Sequence, residues 1–111
     1  ALTETPDLDI ELATHPEVLR CNRDWGQAIR VNFARHVDVR KKPEANNPEH
    51  GWLGIFNVDE NLRRISLTAD ELNFETIPEM HDIWNNCPVK RNSQGKLELM
   101  LFAKKCCFLK Y

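Results

Sequence analysis

The segment 96–111, KLELMLFAKKCCFLKY, constrains the fold more than any other part of the chain. Its odd positions run Leu97, Leu99, Leu101, Ala103, Lys105, Cys107, Leu109 and Tyr111, and its even ones Glu98, Met100, Phe102, Lys104, Cys106, Phe108 and Lys110. A period of two belongs to a β-strand, in which neighbouring side chains point to opposite faces. The odd set is the more apolar. In an uninterrupted strand Cys107 therefore faces a core and Cys106 faces away from it. A turn at Lys104-Lys105 permits another register, so one long strand and two short ones both stay open.

The rest of the chain repeats this alternation in shorter pieces. VLRC (18–21) predicts a strand. AIRVNFARHVDV (28–39) alternates twice around Ala34 and Arg35, which predicts a strand with a kink or bulge there. RKKPEANNPEHG (40–51) is charged, holds Pro43 and Pro48, and reads as a loop that buries little. GWLGIFNV (51–58), the turn DENLR and RISLT (64–68) predict a hairpin. Thr68 and Glu71 have capping-box spacing, and Thr76, Pro78, Ile77, Met80, Ile83 and Trp84 suit one short helix ending at Asn85-Asn86. VKRNSQGK (89–96) is a polar turn with Gly95. Six or seven short strands and at most one short helix predict an all-β fold, an antiparallel sandwich of two sheets. Residues 1–17 carry Glu4, Asp7, Asp9, Glu11 and Glu17 and no Lys or Arg, so they read as an acidic linker or arm, with one short strand at DLDIEL; 18–111 is the domain.

At 111 residues, 41% hydrophobic and 29% charged, the chain is one domain's worth of ordinary globular composition. A net charge of −2 argues against a dedicated nucleic-acid binder. No run of about 18 apolar residues exists to span a membrane, and ALTETPDLDI has neither the basic start nor the apolar stretch of a signal peptide. Beginning with Ala, the chain reads as a processed product or a piece of something longer. Four cysteines, Cys21, Cys87, Cys106 and Cys107, suit the disulfide framework of a secreted protein; free buried thiols and a metal site are the alternatives. Zinc would want two short Cys/His pairs, and neither Cys21 nor Cys87 has one.

No pattern points to catalysis or to a cofactor. His15, His36, His50 and His81 are isolated from one another and from the cysteines. Asp59-Glu60 and Asp70-Glu71 are contiguous, which is not the facing geometry that a general acid and base need. Trp25, Trp52 and Trp84 suit core packing more than a glycan site. The stretch 65–89 stands out as a surface: it holds Asp70, Glu71, Glu75, Glu79 and Asp82 among Leu72, Phe74, Ile77, Met80 and Ile83, with no Lys or Arg. Such a face favours a basic, partly apolar protein partner. In the competing reading the apolar half is core and the acids are its solvated side.

LRCNRDWGQAIRVNF and FAKKCCFLKY together resemble the first and last cysteine strands of a zona pellucida N-type (ZP-N) module, an immunoglobulin-like sandwich of egg coats, and within that family the repeats of the abalone vitelline-envelope receptor for sperm lysin. The resemblance implies the pairs Cys21–Cys107 and Cys87–Cys106. It also implies a secreted, non-enzymatic egg-coat protein of the vitelline envelope, filament material that meets other ZP modules and is the target of a basic sperm protein in fertilization. The contact residues expected on that reading are Asp70, Glu71, Leu72, Phe74, Glu75 and Ile77. Another secreted adhesion module, or a small secreted effector on a similar sandwich, is the alternative.

Overall fold

The computed structural model describes residues 2–3 and 15–111. The strand expected at DLDIEL lies outside the described residues. In order, the elements are β1 (Leu2–Thr3), α1 (Pro16–Arg23), β2 (Ile29–Ala34), β3 (Val37–Pro43), β4 (Gly51–Asn57), β5 (Arg63–Leu67), β6 (Met80–Asp82), β7 (Cys87–Val89), β8 (Leu97–Leu101) and β9 (Cys106–Lys110). The six-stranded sheet is antiparallel in the order β2-β3-β4-β9-β6-β7; the three-stranded sheet has the order β1-β8-β5, with β1 parallel to β8. The all-β expectation with one short helix is met.

One hydrophobic core joins the two sheets. Val37, Val39, Leu53, Ile55, Cys107 and Leu109 enter it from the larger sheet, and Ile65, Leu67, Leu97, Leu99 and Leu101 from the smaller. The alternation in 97–111 thus picks out the core-facing side chains, but across two strands. The chain turns at Ala103-Lys104, with Lys104 at φ 61°, and moves from the smaller sheet to the larger with the parity of burial kept.

Five local expectations change. VLRC is helical: His15 accepts the Glu17 N–H through Nδ1, Pro16 starts the first turn, Glu17 lies at the positive end of the helix dipole, and Arg20 and Arg23 lie in the last turn. The segment 28–39 is a hairpin, because Arg35 (φ 53°) and His36 (φ 63°) both take the left-handed conformation of a two-residue turn; the bulge sits instead between Arg30 and Asn32. β4 and β5 are not a hairpin, since β4 pairs with β3 and β9 and β5 with β8. Asn57 directs this crossing: its Nδ2 donates to the carbonyls of Asn61, Leu101 and Phe102 while its Oδ1 accepts from the Asp59 N–H.

The helix expected around Ile77 to Trp84 is a second hairpin, β6 and β7. Asp82 Oδ1 accepts the N–H groups of Trp84 and Asn85 and sets the turn, and Asn86 (φ 51°) completes it. The capping box does form, with Thr68 N–H to Glu71 at 2.9 Å and Glu71 N–H to Thr68 at 3.1 Å, but it starts only a single turn that ends at Asn73 (φ 59°). β3 runs on to Pro43, so Lys41 is buried rather than in a loop.

Candidate functional site

Residue pairing across the larger sheet decides which side chains leave its outer face. Lys42, Trp52 and Lys110 share one row, Arg40, Gly54 and Phe108 the next, and Asp38, Phe56 and Cys106 a third. On the edge strand Arg30 joins the second row and Phe33 the third.

Helix α1 covers the first row. Its amphipathic face buries Val18 and Cys21, and Cys21 packs with Trp52, Ile83 and Phe108 in a second apolar cluster separate from the main core. Polar contacts fix its position: Trp52 Nε1 donates to Glu17, Arg20 to Glu44, and Lys42 Nζ to the carbonyls of Cys21 and Asp24 near the helix C-terminus. Burial acts against charge on Glu17, yet the Arg20 and Trp52 hydrogen bonds hold its carboxyl below the usual range.

The other rows stay open. Phe33 is 54% exposed and Phe56 37%, and Phe108 is half-buried beside Trp84, with ring centroids 5.7 Å apart. Asp38 accepts two bonds from Arg30, at 3.0 and 3.2 Å, and one from Arg40 at 3.4 Å; the Arg30 guanidinium also lies 4.7 Å from the Phe33 ring. A groove of about 250 Å³ runs between α1 and the sheet, lined among others by Cys21, Arg40, Trp52, Gly54, Phe56 and Phe108. The sequence signals for this face were the even positions of β4 and β9; the burial of one aromatic there, Trp52, hid the exposure of the others.

The residues expected to meet a partner do not act as one surface. Leu72 is 0% and Ile77 1% exposed, both in the core, so neither can touch a partner directly. Phe74 packs edge-on against Tyr111 and lies under Lys41 Nζ, 3.5 Å from its ring centroid. Glu71 is held by the Thr68 backbone and by Arg35. Asp70 and Glu75 are exposed. The alternation of acids with apolar residues therefore marks a segment whose apolar half is core.

All four cysteines are free thiols, so the pairs Cys21–Cys107 and Cys87–Cys106 are not formed. The geometry explains the first: Cys21 sits under α1 on the outer face, whereas Cys107 points between the sheets, so the sheet stands between them. Cys87 is exposed; Cys106, on the outer face, is buried all the same. Burial pushes the Cys106 thiol up to about 11 and raises Cys21 and Cys107 also, with Asp82 adding to the effect at Cys107.

Among the described residues, no group of three or more His, Cys, Asp or Glu is placed to hold a metal ion, and no helix is long and apolar enough to cross a membrane. His15 and His81 line a cleft of about 460 Å³ with Glu17 and Trp84; His15 caps α1, and the His81 ring bonds Asn86 at 2.9 Å. The three tryptophans have three fates: Trp52 is core to the second cluster, Trp84 is half-buried and Trp25 is 77% exposed.

No family model matches the chain, and no curated protein matches it. Solved structures do. A GH27 β-L-arabinopyranosidase from Geobacillus stearothermophilus superposes with a TM-score of 0.74 at 19% identity, over 96% of this chain and 24% of its own. A putative α-N-acetylgalactosaminidase from Bacillus halodurans gives 0.76 at 12%, over 96% and 24%. α-Galactosidase I from Mortierella vinacea gives 0.73 at 19%, over 97% and 29%. This chain thus spans about a quarter of the length of the structures it resembles, and what it shares with them is the fold.

Proposed function

We propose that this chain is a non-catalytic β-module of a larger carbohydrate-acting protein, whose role is to pack on and steady a neighbouring domain. The observation that carries this reading is the near-complete overlay, 96–97% of the chain, on a minor part of several sugar-cleaving enzymes. Glycoside hydrolysis needs two carboxylates facing each other across a cleft. Here Asp38, Asp59 and Glu17 are tied up with Arg30, Arg63 and Arg20. The open part of the outer face, where Phe33 and Phe56 are exposed, supports a packing role, since exposed apolar surface marks contact sites.

The test compares two samples on a panel of nitrophenyl galactosides, N-acetylgalactosaminides and arabinopyranosides: the natural polypeptide that carries this sequence, and residues 1–111 alone. Hydrolysis by the former and none by the latter is expected. A natural polypeptide of only 13.0 kDa, or turnover by residues 1–111 alone, would refute the reading.

The egg-coat receptor is the competing proposal, favoured by the exposed acids Asp70 and Glu75 and lacking the bridges its resemblance implies. Thiol titration in denaturant separates the two: four reactive thiols support the carbohydrate-protein module, and two disulfides return the egg-coat reading to the front.

A further inference from the structure

The two outward faces of the molecule differ in kind. On the smaller sheet β5 and β8 present Arg64, Ser66, Glu98 and Met100, and Arg64 reaches Glu98 at 3.6 Å, a solvated and internally paired surface. On the larger sheet the outward positions hold Phe33 and Phe56, both exposed, and Phe108, half-buried at the edge of the cluster under α1. Gly54 deepens this region: a Cβ there would lie 3.0 Å from the Phe56 ring, which rests across the glycine. Charge on this face is unbalanced too. Arg30 and Arg40 converge on the single carboxylate of Asp38, which leaves one positive charge in excess beside the Phe33 ring.

We propose that this open face, Phe33, Phe56 and Phe108 framed by Arg30 and Arg40, is the seat of another domain of the same longer polypeptide, which meets it with an apolar surface carrying a carboxylate opposite the arginine pair. The inference rests on the reading of the chain as one module of a larger protein. Two observations select this occupant. The resembling structures are about three-quarters to seven-tenths something other than this module, so a large covalently joined body accompanies the fold in each of them. The excess guanidinium charge selects an acidic rather than a basic surface. The groove beside α1 is continuous with the face through Gly54 and Phe108, and it accepts one protruding apolar side chain of the partner domain.

Hydroxyl-radical footprinting of residues 1–111 and of the natural polypeptide tests this. Phe33 and Phe56 are expected to label strongly in the former and at least about five-fold less in the latter, as for residues moved into a packed contact, while Met100 on the opposite face labels alike in both. The double variant Phe33→Asp/Phe56→Asp should leave the unfolding of residues 1–111 nearly unchanged and split the unfolding of the natural polypeptide into two transitions. Equal labelling of Phe33 and Phe56 in the two samples overturns the proposal. So does protection that disappears when the natural polypeptide is diluted to a monomer, because a second copy is then the occupant. Failure here is distinct from failure of the module reading: a natural polypeptide that cleaves glycosides with Phe33 and Phe56 fully labelled keeps that reading and loses this face.

Discussion

Replacing Asn57 is the sharpest test of how the two sheets are joined. Its amide is 1% exposed, and its two hydrogens serve three carbonyl oxygens, those of Asn61 at 2.9 Å, Leu101 at 3.0 Å and Phe102 at 3.2 Å; its oxygen accepts from Asp59 at 3.0 Å. Counting two donated bonds and one accepted, each worth about 1 kcal/mol net, Asn57→Ala should cost about 3 kcal/mol, with the buried Leu101 carbonyl left short of a partner. For a domain of this size that is a fall in Tm of about 12–20 °C. Asn57→Asp keeps the shape and turns the donor into an anionic oxygen facing three carbonyl oxygens, so at neutral pH it should cost more than Asn57→Ala, by about 1 kcal/mol or more. Urea unfolding followed by tryptophan fluorescence measures both, with equal m-values as the check that only stability has changed. Near pH 3 the introduced carboxyl is protonated, regains one donor, and the gap to Asn57→Ala should narrow. An Asn57→Asp variant as stable as Asn57→Ala at pH 7, or an Asn57→Ala cost below about 0.5 kcal/mol, would refute the reasoning.

Three further outcomes are expected. Lys41 is buried, its Nζ donating to the carbonyls of Leu72 at 3.2 Å and Asn73 at 2.6 Å, so Lys41→Met should destabilise by about 2–4 kcal/mol, and hydrogen exchange should speed up across 69–74. Burial lowers the Lys41 pKa from 10.5, so the unfolded chain takes up the proton first as pH falls; wild-type stability relative to Lys41→Met should therefore rise as pH climbs towards and past 10.5, and a difference flat in pH would contradict this. The buried thiols act in the opposite sense: their folded pKa values are raised above the ordinary 9.0, so the stability they contribute is complete below pH 9 and lost above it, and Cys107→Val should remove the largest share of that alkaline loss in pH-dependent urea titrations. With nondenaturing buffer at pH 8, a bulky thiol reagent should modify Cys87 alone within the time that leaves Cys21, Cys106 and Cys107 intact; rapid loss of all four would mean the core is not closed as described.

The parts of the fold visible in the sequence were those where one physical signal dominates. Leu97, Leu99, Leu101, Cys107, Leu109 and Tyr111 are all buried, as their parity requires, because the period of a strand survives even the sheet-changing turn at Lys104. What the parity could not convey is which sheet each half joins, since that is a long-range choice made by Asn57 and its carbonyl partners. The stretch 16–23 shows a conflict of signals: four residues, VLRC, alternate like a strand, while His15, Pro16, Glu17 and Arg20 are placed as in a helix, and the end effects prevailed because the helix also buries Cys21 against Trp52. At 65–89 a mixture of acids and apolar residues describes both a recognition surface and the rim of a core, and only tertiary packing around Leu72 and Ile77 distinguishes them. The open aromatic face was hidden for the reverse reason: Phe33, Phe56 and Phe108 sit at strand positions that a two-sided core would fill.

Strand β9 is the latest of the described strands in the chain, yet it lies in the interior of the larger sheet, between β4 and β6. Until residues 106–110 have left the ribosome, β4 has an unpaired edge on one side and the β6–β7 hairpin has nothing to dock on. The earlier strands can form their β2–β3–β4 meander during synthesis, but joining it to the β6–β7 hairpin has to wait for residues 106–110. The larger sheet therefore closes only once β9 has been made, and until then the nascent module carries two sticky strand edges that a chaperone, or the rapid arrival of CCFLK, must cover.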